Sequence, residues 1–147
     1  MEEKSTSHLE SMLKNAKAQS YEQLQRDVSL AKPMTLCDYL NTYIAEHGLI
    51  CSKVKAASLI PKDYADGIFN GNRANPSRDR VIAITRAMMM DYDDTQRTLK
   101  IANVGALYPK VPRDFAIMYA ITHNYSVDEL NIFLDSKGFD SLVTQKR

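Results

Sequence analysis

Residues 52–80, SKVKAASLIPKDYADGIFNGNRANPSRDR, constrain the fold of this chain more than any other stretch. The small side chains at 56–58 (Ala-Ala-Ser) allow a second helix to cross closely, and Ile60-Pro61 then marks a turn. Proline is favoured at the first position of a helix, because the N–H that it lacks would have no partner there. The pattern therefore predicts two short helices, over about residues 53–58 and 62–70, joined as a helix-turn-helix.

The side chains of these two helices divide into an inward and an outward set. Ser52 is the predicted cap of the first helix, and Gly71 is expected to end the second in a left-handed conformation. The inward set is Val54, Ala57, Ser58, Ala65, Ile68 and Phe69. The outward set is Lys62, Asp63, Asp66, Gly67 and Asn70, with Tyr64 at its edge.

Three further helices flank this pair and complete a predicted five-helix unit over residues 35–104. Thr35 with Asp38 and Ser77 are expected to cap two of them, and Asp91 or Asp93 the third. Helical spacing predicts their buried faces, and no segment shows the alternation of a strand, so the fold class is all-α. The predicted buried positions are Leu36, Tyr39, Leu40, Tyr43 and Ile44, then Val81, Ile82, Ile84, Thr85 and Met88, then Leu99, Ile101 and Ala102.

The two ends of the chain are predicted to be helical as well. Residues 1–34 form an N-terminal arm whose amphipathic stretch, 7–31, either packs on its own domain or pairs with a second copy or a partner. Residues 105–147 form a C-terminal helix pair packed on the five-helix unit, with a capping box at Ser126 and Glu129. Its apolar positions are Phe115, Ile117, Met118, Tyr119 and Ile121, then Leu130, Ile132, Phe133 and Leu134.

Composition narrows the function classes. No apolar run is long enough to span a bilayer and the polar start lacks a signal sequence, so a cytoplasmic location is expected. Cys37 and Cys51 are expected to be reduced thiols in or near the core. The three histidines lie in separate segments without a triad or metal spacing, which predicts neither an enzyme nor a metal or cofactor site. Asp91, Asp93 and Asp94 are interpreted as helix caps, and Met88–Met90 as core filling or an interaction surface.

The helix-turn-helix predicts contacts to double-stranded DNA, because such a motif places its second helix in the major groove. The net charge of +1 is a weak footprint for nucleic acid, so the basic groups would have to lie on one face. Candidates for base contacts are Lys62, Asp63, Tyr64, Asp66 and Asn70. Candidates for phosphate contacts are Ser52, Lys53, Asn72, Arg73, Arg78 and, as a further candidate, Arg80, with the helix start at Ser77 adding its dipole.

The same stretch resembles the Xre/lambda-repressor-like helix-turn-helix family over residues 35–104. The matching features are Ala56-Ala57-Ser58, Ile60, Ile68, and Gly71-Asn72-Arg73 followed by Pro76-Ser77 and Val81-Ile82-Ala83. The continuation through Arg97–Ala102, Gly105–Pro109 and Arg113-Asp114 is similar to bacterial regulators with extra C-terminal helices. The resemblance implies sequence-specific DNA binding, usually as a homodimer on a palindromic operator, and transcriptional repression.

Three features depart from that family pattern and leave a second interpretation open. Gly67 lies in the middle of the expected recognition helix, where glycine costs about 1 kcal/mol relative to alanine. Asp63 and Asp66 place carboxylates where phosphates would approach, and Leu59 replaces the usual glycine before the turn. A degenerate helix-turn-helix that acts as a protein–protein interaction adaptor, with a protein partner and without DNA, therefore remains an alternative.

Overall fold

Seven helices occupy residues 35–143 of the computed structural model, which describes residues 20–23 and 34–143 of the chain. All regular structure in those ranges is helical, which confirms the all-α prediction there. The chain divides into two compact units, residues 1–34 and 35–147. Apart from 20–23, the predicted arm helix over 7–31 lies outside the described residues. The helices are α1 (Leu36–Glu46), α2 (Cys51–Ala57), α3 (Lys62–Asn70), α4 (Arg78–Ala87), α5 (Tyr92–Ile101), α6 (Pro112–Thr122) and α7 (Val127–Ser136).

Four helix starts are capped as the sequence predicts. The side chains of Thr35, Ser77 and Asp91 each accept a hydrogen bond from the backbone N–H three residues later. Ser126 and Glu129 form the reciprocal capping box of α7. Each bond satisfies a backbone donor that has no partner within its helix, so these four positions fix where the chain becomes helical.

The start of α2 differs from the prediction. The helix begins at Cys51, its cap is Ile50, and no side chain bonds to the free N–H groups there. Ser52 therefore lies inside the first turn and is exposed, so its predicted role as a cap is wrong. A capping side chain must precede the helix, and the helix starts one residue too early for Ser52 to do so.

One core of apolar side chains runs through the bundle. Leu40, Val54 and Ile68 bring α1, α2 and α3 together, and all three are buried. The second half of the core is formed by α4, whose side chains from Val81 to Arg86 are all buried. The α6–α7 pair contributes Ile117, Leu130 and Leu134, each fully buried. Cys37 and Cys51 are free thiols at the half-buried margin.

Several residues predicted to be buried are exposed instead. Ala57 is exposed at the end of α2, and Met89 is exposed in the α4–α5 turn while Met88 and Met90 are buried. Phe115 and Tyr119 lie on the outer face of α6, and Ile132 on the outer face of α7. Those two helices are apolar on more than one face, so helical spacing alone could not identify the face that packs.

Arg86 is a buried cation that ties α4 to the C-terminal helices. Its side chain is fully buried, and its guanidinium donates to the carbonyl oxygens of Met90 and Tyr125, the latter at 3.1 Å. Among the residues that the structure describes, its Nε has no hydrogen-bond partner. Burial lowers the pKa of Arg86.

In the part of the chain that the structure describes, no helix is long and apolar enough to cross a bilayer.

Candidate nucleic-acid interface

The turn between α2 and α3 is closed by Ser58 and Leu59. The Ser58 hydroxyl donates to the Lys55 carbonyl at 2.6 Å and accepts from the Ile60 N–H at 3.3 Å. Leu59 has a φ of 60°, the left-handed conformation that glycine adopts most easily. A leucine there costs on the order of 1 kcal/mol, but it makes the same turn. Leu59 therefore adopts a left-handed turn conformation that a glycine would adopt more easily.

The helix α3 buries Ala65, Ile68 and Phe69, as predicted, and ends at Gly71 with a φ of 87°. Lys62 and Asp63 are exposed in its first turn. At the other end, the Asn70 side-chain oxygen accepts from the Asn72 N–H at 2.8 Å, which shapes the start of the following loop. Both ends of α3 thus keep polar side chains accessible, while its middle is packed.

Gly67 does not point outward, contrary to the prediction. It is buried, and a Cβ at this position would lie 2.9 Å from the Cγ of Arg73. The Gly67 carbonyl also accepts from the Arg73 N–H at 2.9 Å. The glycine therefore makes room for the aliphatic part of Arg73 to lie across α3, a close approach that a side chain would prevent. This explains a residue that otherwise weakens the helix.

Tyr64 holds two arginines on the adjoining flank of α3. The guanidinium carbon of Arg73 lies 4.2 Å from the centroid of the Tyr64 ring, and that of Arg80 lies 3.9 Å from it. An aromatic face attracts a cation and limits its side-chain freedom without neutralising its charge. Within the described residues, neither guanidinium is paired with a carboxylate. Two positive charges are therefore fixed close together beside the 71–77 loop.

The opposite flank of α3 carries an ion cluster. The Asp66 carboxylate accepts from Lys55 at 2.9 Å and from Lys62 at 3.0 Å. The hydrogen bonds from Lys55 and then Lys62 lower the pKa of Asp66, and the bond to Asp66 raises the pKa of Lys55. Asp66 thus meets two lysines instead of presenting a bare negative charge. Lys62 is held loosely, since its side chain remains 87% exposed.

Arg78, which is predicted to bind phosphate, is paired with a carboxylate of α6. Its two terminal nitrogens donate to the Asp114 carboxylate at 2.9 and 2.8 Å, and it also donates to the carbonyls of Gly105 and Ala106. A second pair runs beside it, because Arg113 donates to both oxygens of Asp79 at 2.9 and 3.0 Å. These crossed pairs, which we call the α4–α6 clamp, fasten the start of α4 to α6. Arg78 is consequently a structural residue.

An open groove of about 760 Å³ lies between α2 and α3. Phe69 and Ile60 line its apolar part, and Ser52, Lys55 and Asn70 are among its polar residues. Asn41 of α1 lies beside it and donates to the Phe69 carbonyl at 2.9 Å. All three residues of the ion cluster, Lys55, Lys62 and Asp66, also line this groove.

The structure groups the predicted site residues in three places. Ser52 and Lys53 are exposed on α2; Lys62, Asp63, Asp66 and Asn70 lie along α3; Asn72, Arg73 and Ser77 are exposed in the loop that Tyr64 and Arg80 flank. The sequence interpretation did not include Lys55, which meets Asp66 across the α2–α3 turn. In the sequence, only the opposite charges at positions 55 and 66 could have indicated this contact, and the two positions are far apart along the chain.

Across residues 20–23 and 34–143, no three His, Cys, Asp or Glu side chains are arranged to hold a metal ion. Asp91 is used as a cap, accepting from the Asp94 N–H at 2.8 Å.

No protein-family model matches the chain, and no curated protein or solved structure matches it either. The family resemblance of residues 35–104 therefore stays a prediction from the sequence.

Proposed function

We propose that this protein is a sequence-specific DNA-binding transcriptional regulator, acting as a repressor, with α2 and α3 as a lambda-repressor-like helix-turn-helix. In this proposal α3 enters the major groove of double-stranded DNA and α2 lies across the backbone. The protein is proposed to act in the cytoplasm as a homodimer, without a catalytic activity or a cofactor.

The observation that carries the proposal is the pair of arginines on Tyr64. Arg73 and Arg80 both approach the Tyr64 ring within 4.2 Å and have no acidic partner among the described residues. Their positions beside the loop that follows α3 suit a DNA phosphate, since a fixed guanidinium binds phosphate oxygens through paired hydrogen bonds. The exposed Ser77 cap and the start of α4 would add backbone N–H groups to the same phosphate region.

On the α2 side, Ser52 and Lys53 would contact the backbone of the other strand. Both are exposed in the first turn of α2, and Lys53 has no carboxylate partner among the described residues. Base contacts would come from Lys62, Asp63 and Asn70, which are exposed along α3. Lys62 can leave Asp66 at little cost, because an exposed pair of this spacing contributes only about 0.3–0.5 kcal/mol.

Genomic selection of bound fragments tests the proposal and identifies the site together. We expect purified protein to enrich fragments that share one sequence, and a duplex of that sequence to bind more tightly than a scrambled one of equal length. Binding should weaken as salt rises, because neutralised phosphates release counterions. No enrichment, together with no binding of any duplex at low salt, would contradict the proposal.

A protein–protein interaction adaptor is the second candidate, and the C-terminal helices favour it. Phe115 is 59% exposed and Ile132 is 63% exposed, both on helices that belong to the same compact unit as α2 and α3. Exposed apolar side chains of this size commonly mark contact surfaces. The adaptor requires no DNA, so the selection experiment separates the two candidates.

A further inference from the structure

Exposed apolar side chains are concentrated in the C-terminal part of the described chain. The large ones in residues 105–143 are Tyr108, Val111, Phe115, Tyr119 and Ile132, whereas residues 35–104 contain two of this size, Ile50 and Met89. Val111, Phe115 and Tyr119 follow one another at intervals of four, which places them on one face of a helix. We call these three residues the α6 stripe. Their exposed fractions are 44%, 59% and 42%.

The α6 stripe is rigid at its C-terminal end. The Tyr119 ring stacks on His123 with centroids 4.0 Å apart and on Phe133 of α7 at 5.3 Å. An aromatic ring already fixed by its neighbours loses little conformational freedom when a partner covers it. The exposed ring is therefore well prepared for a contact, rather than being a loose side chain on the surface.

The face that carries the stripe is uncharged along the whole of α6, every residue of which is described. The two charged residues of this helix, Arg113 and Asp114, are both bound to α4 through the α4–α6 clamp. Pro112, Met118 and Thr122 complete the face around the stripe. A second helix of the same kind would therefore meet no charge on α6 itself; a charge from the end of α7, Lys137, lies 5.6 Å from the centre of the Phe133 ring that stacks on Tyr119.

Charges lie just beyond each end of the stripe, and they are opposite. Lys110 is exposed before the start of α6, and Asp128 is exposed at the start of α7, beyond the other end. In an antiparallel pairing across a two-fold axis, each end of one helix meets the other end of its partner. Lys110 of one copy would then lie near Asp128 of the second copy, and the same contact would occur twice.

We infer that the α6 stripe is the two-fold interface of a homodimer, in which α6 packs antiparallel against α6 of a second copy. The three side chains expose on the order of 300 Å² per copy, judged from the usual area of such residues. An interface of standard size buries about 800 Å² per partner. The stripe would form the apolar centre of such an interface, and the side chains around it would supply the remaining area. The inference does not depend on DNA binding, although two copies related in this way would suit a palindromic site.

Sedimentation equilibrium of the full chain without DNA, over a wide range of concentration, tests the inference. The wild type is expected to dimerise reversibly, and Phe115→Glu to raise the dissociation constant at least about tenfold, or 1.4 kcal/mol. Met89→Glu is the matched control, because Met89 is 49% exposed and belongs to the α4–α5 turn rather than to α6, and it should leave the dissociation constant unchanged. A monomeric wild type, or a dimer that survives Phe115→Glu, would overturn the inference.

A charge exchange tests the antiparallel arrangement with residues that are too exposed to disturb folding. Lys110→Glu and Asp128→Lys should each weaken the dimer, and the two together should restore it, because the paired charges are only exchanged. If the double variant dimerises no better than either single variant, the antiparallel pairing is wrong. A dimer formed through residues 1–34 would be insensitive to all of these changes, and a stripe that contacts a different protein would leave the wild type monomeric; either result overturns the inference.

Discussion

Arginines on the two sides of the α4 start are used in opposite ways. Arg73 and Arg80 lie on an aromatic ring and keep their charge available, whereas Arg78 and Arg113 are each bound to a carboxylate by two hydrogen bonds. Arg78 and Arg80 are separated by one residue, so proximity in sequence does not determine their roles. The difference lies in whether a neighbouring helix places a carboxylate within reach, as α6 does for Arg78 and α4 does for Arg113.

Removing Arg78 should have the largest effect on stability. Asp114 is buried, so Arg78→Ala would leave its carboxylate without its main partner, which costs about 3 kcal/mol of unfolding free energy. Arg73→Ala should change the same quantity by less than about 0.5 kcal/mol, as is usual for an exposed residue. Urea denaturation of both variants measures the difference. Equal losses would mean that Arg73 is as structural as Arg78.

The pH dependence of the unfolding free energy should provide a second test of the Arg78–Asp114 pair. Burial raises the pKa of Asp114, but hydrogen bonds from Arg78 and from the Tyr108 backbone, with the charges of Arg78 and Arg113, hold it below its ordinary 3.8. A carboxyl with a lowered pKa stabilises the fold at higher pH and loses that contribution as the pH falls through its folded value.

Asp114→Asn should therefore flatten the decline of unfolding free energy below about pH 4, besides lowering stability at neutral pH. Denaturant titrations of wild type and variant across that range provide the measurement. Asp63→Asn serves as the control, since Asp63 is exposed. Parallel acid profiles for wild type and Asp114→Asn would show that the α4–α6 clamp does not contribute through this carboxyl.

Local signals in the sequence predicted much of the fold. The caps at Thr35, Ser77, Asp91 and Ser126 act on a backbone N–H three residues away, so the sequence contains both partners of each bond. The Arg78–Asp114 pair joins residues 36 positions apart. Nothing local in the sequence specifies that pairing. From the sequence alone, Arg78 therefore resembles a phosphate-binding residue, and only the position of α6 in the fold reveals its carboxylate partner.

The same reasoning explains what could and could not be predicted at the candidate site. The packing face of α3 follows from helical spacing, and its end follows from Gly71. The burial of Gly67 could not be predicted from helical spacing, because it depends on the side chain of Arg73 lying back across the helix. Exposure of Phe115 was equally unpredictable, since α6 has apolar residues on both its inner and its outer face.

Gly67→Ala should have a small effect on stability and a clear effect on the arginine pair. Alanine favours helix by about 1 kcal/mol over glycine, but its Cβ would lie 2.9 Å from the Cγ of Arg73 and displace that side chain. We expect the unfolding free energy to change by less than about 1 kcal/mol while DNA affinity falls severalfold. Undiminished affinity would show that the position of Arg73 over Tyr64 is unimportant.

The central claim is that Arg73 and Arg80 bind DNA phosphates. Its most direct test is the slope of log K against log salt for a selected duplex, measured for wild type, Arg73→Ala/Arg80→Ala and the control Arg97→Ala. Arg97 is also an exposed arginine, with 63% of its side chain accessible, but it lies on α5. Loss of two phosphate contacts should reduce the magnitude of the slope by about 2 in the double variant and leave it unchanged in the control. An unchanged slope in the double variant would contradict the claim.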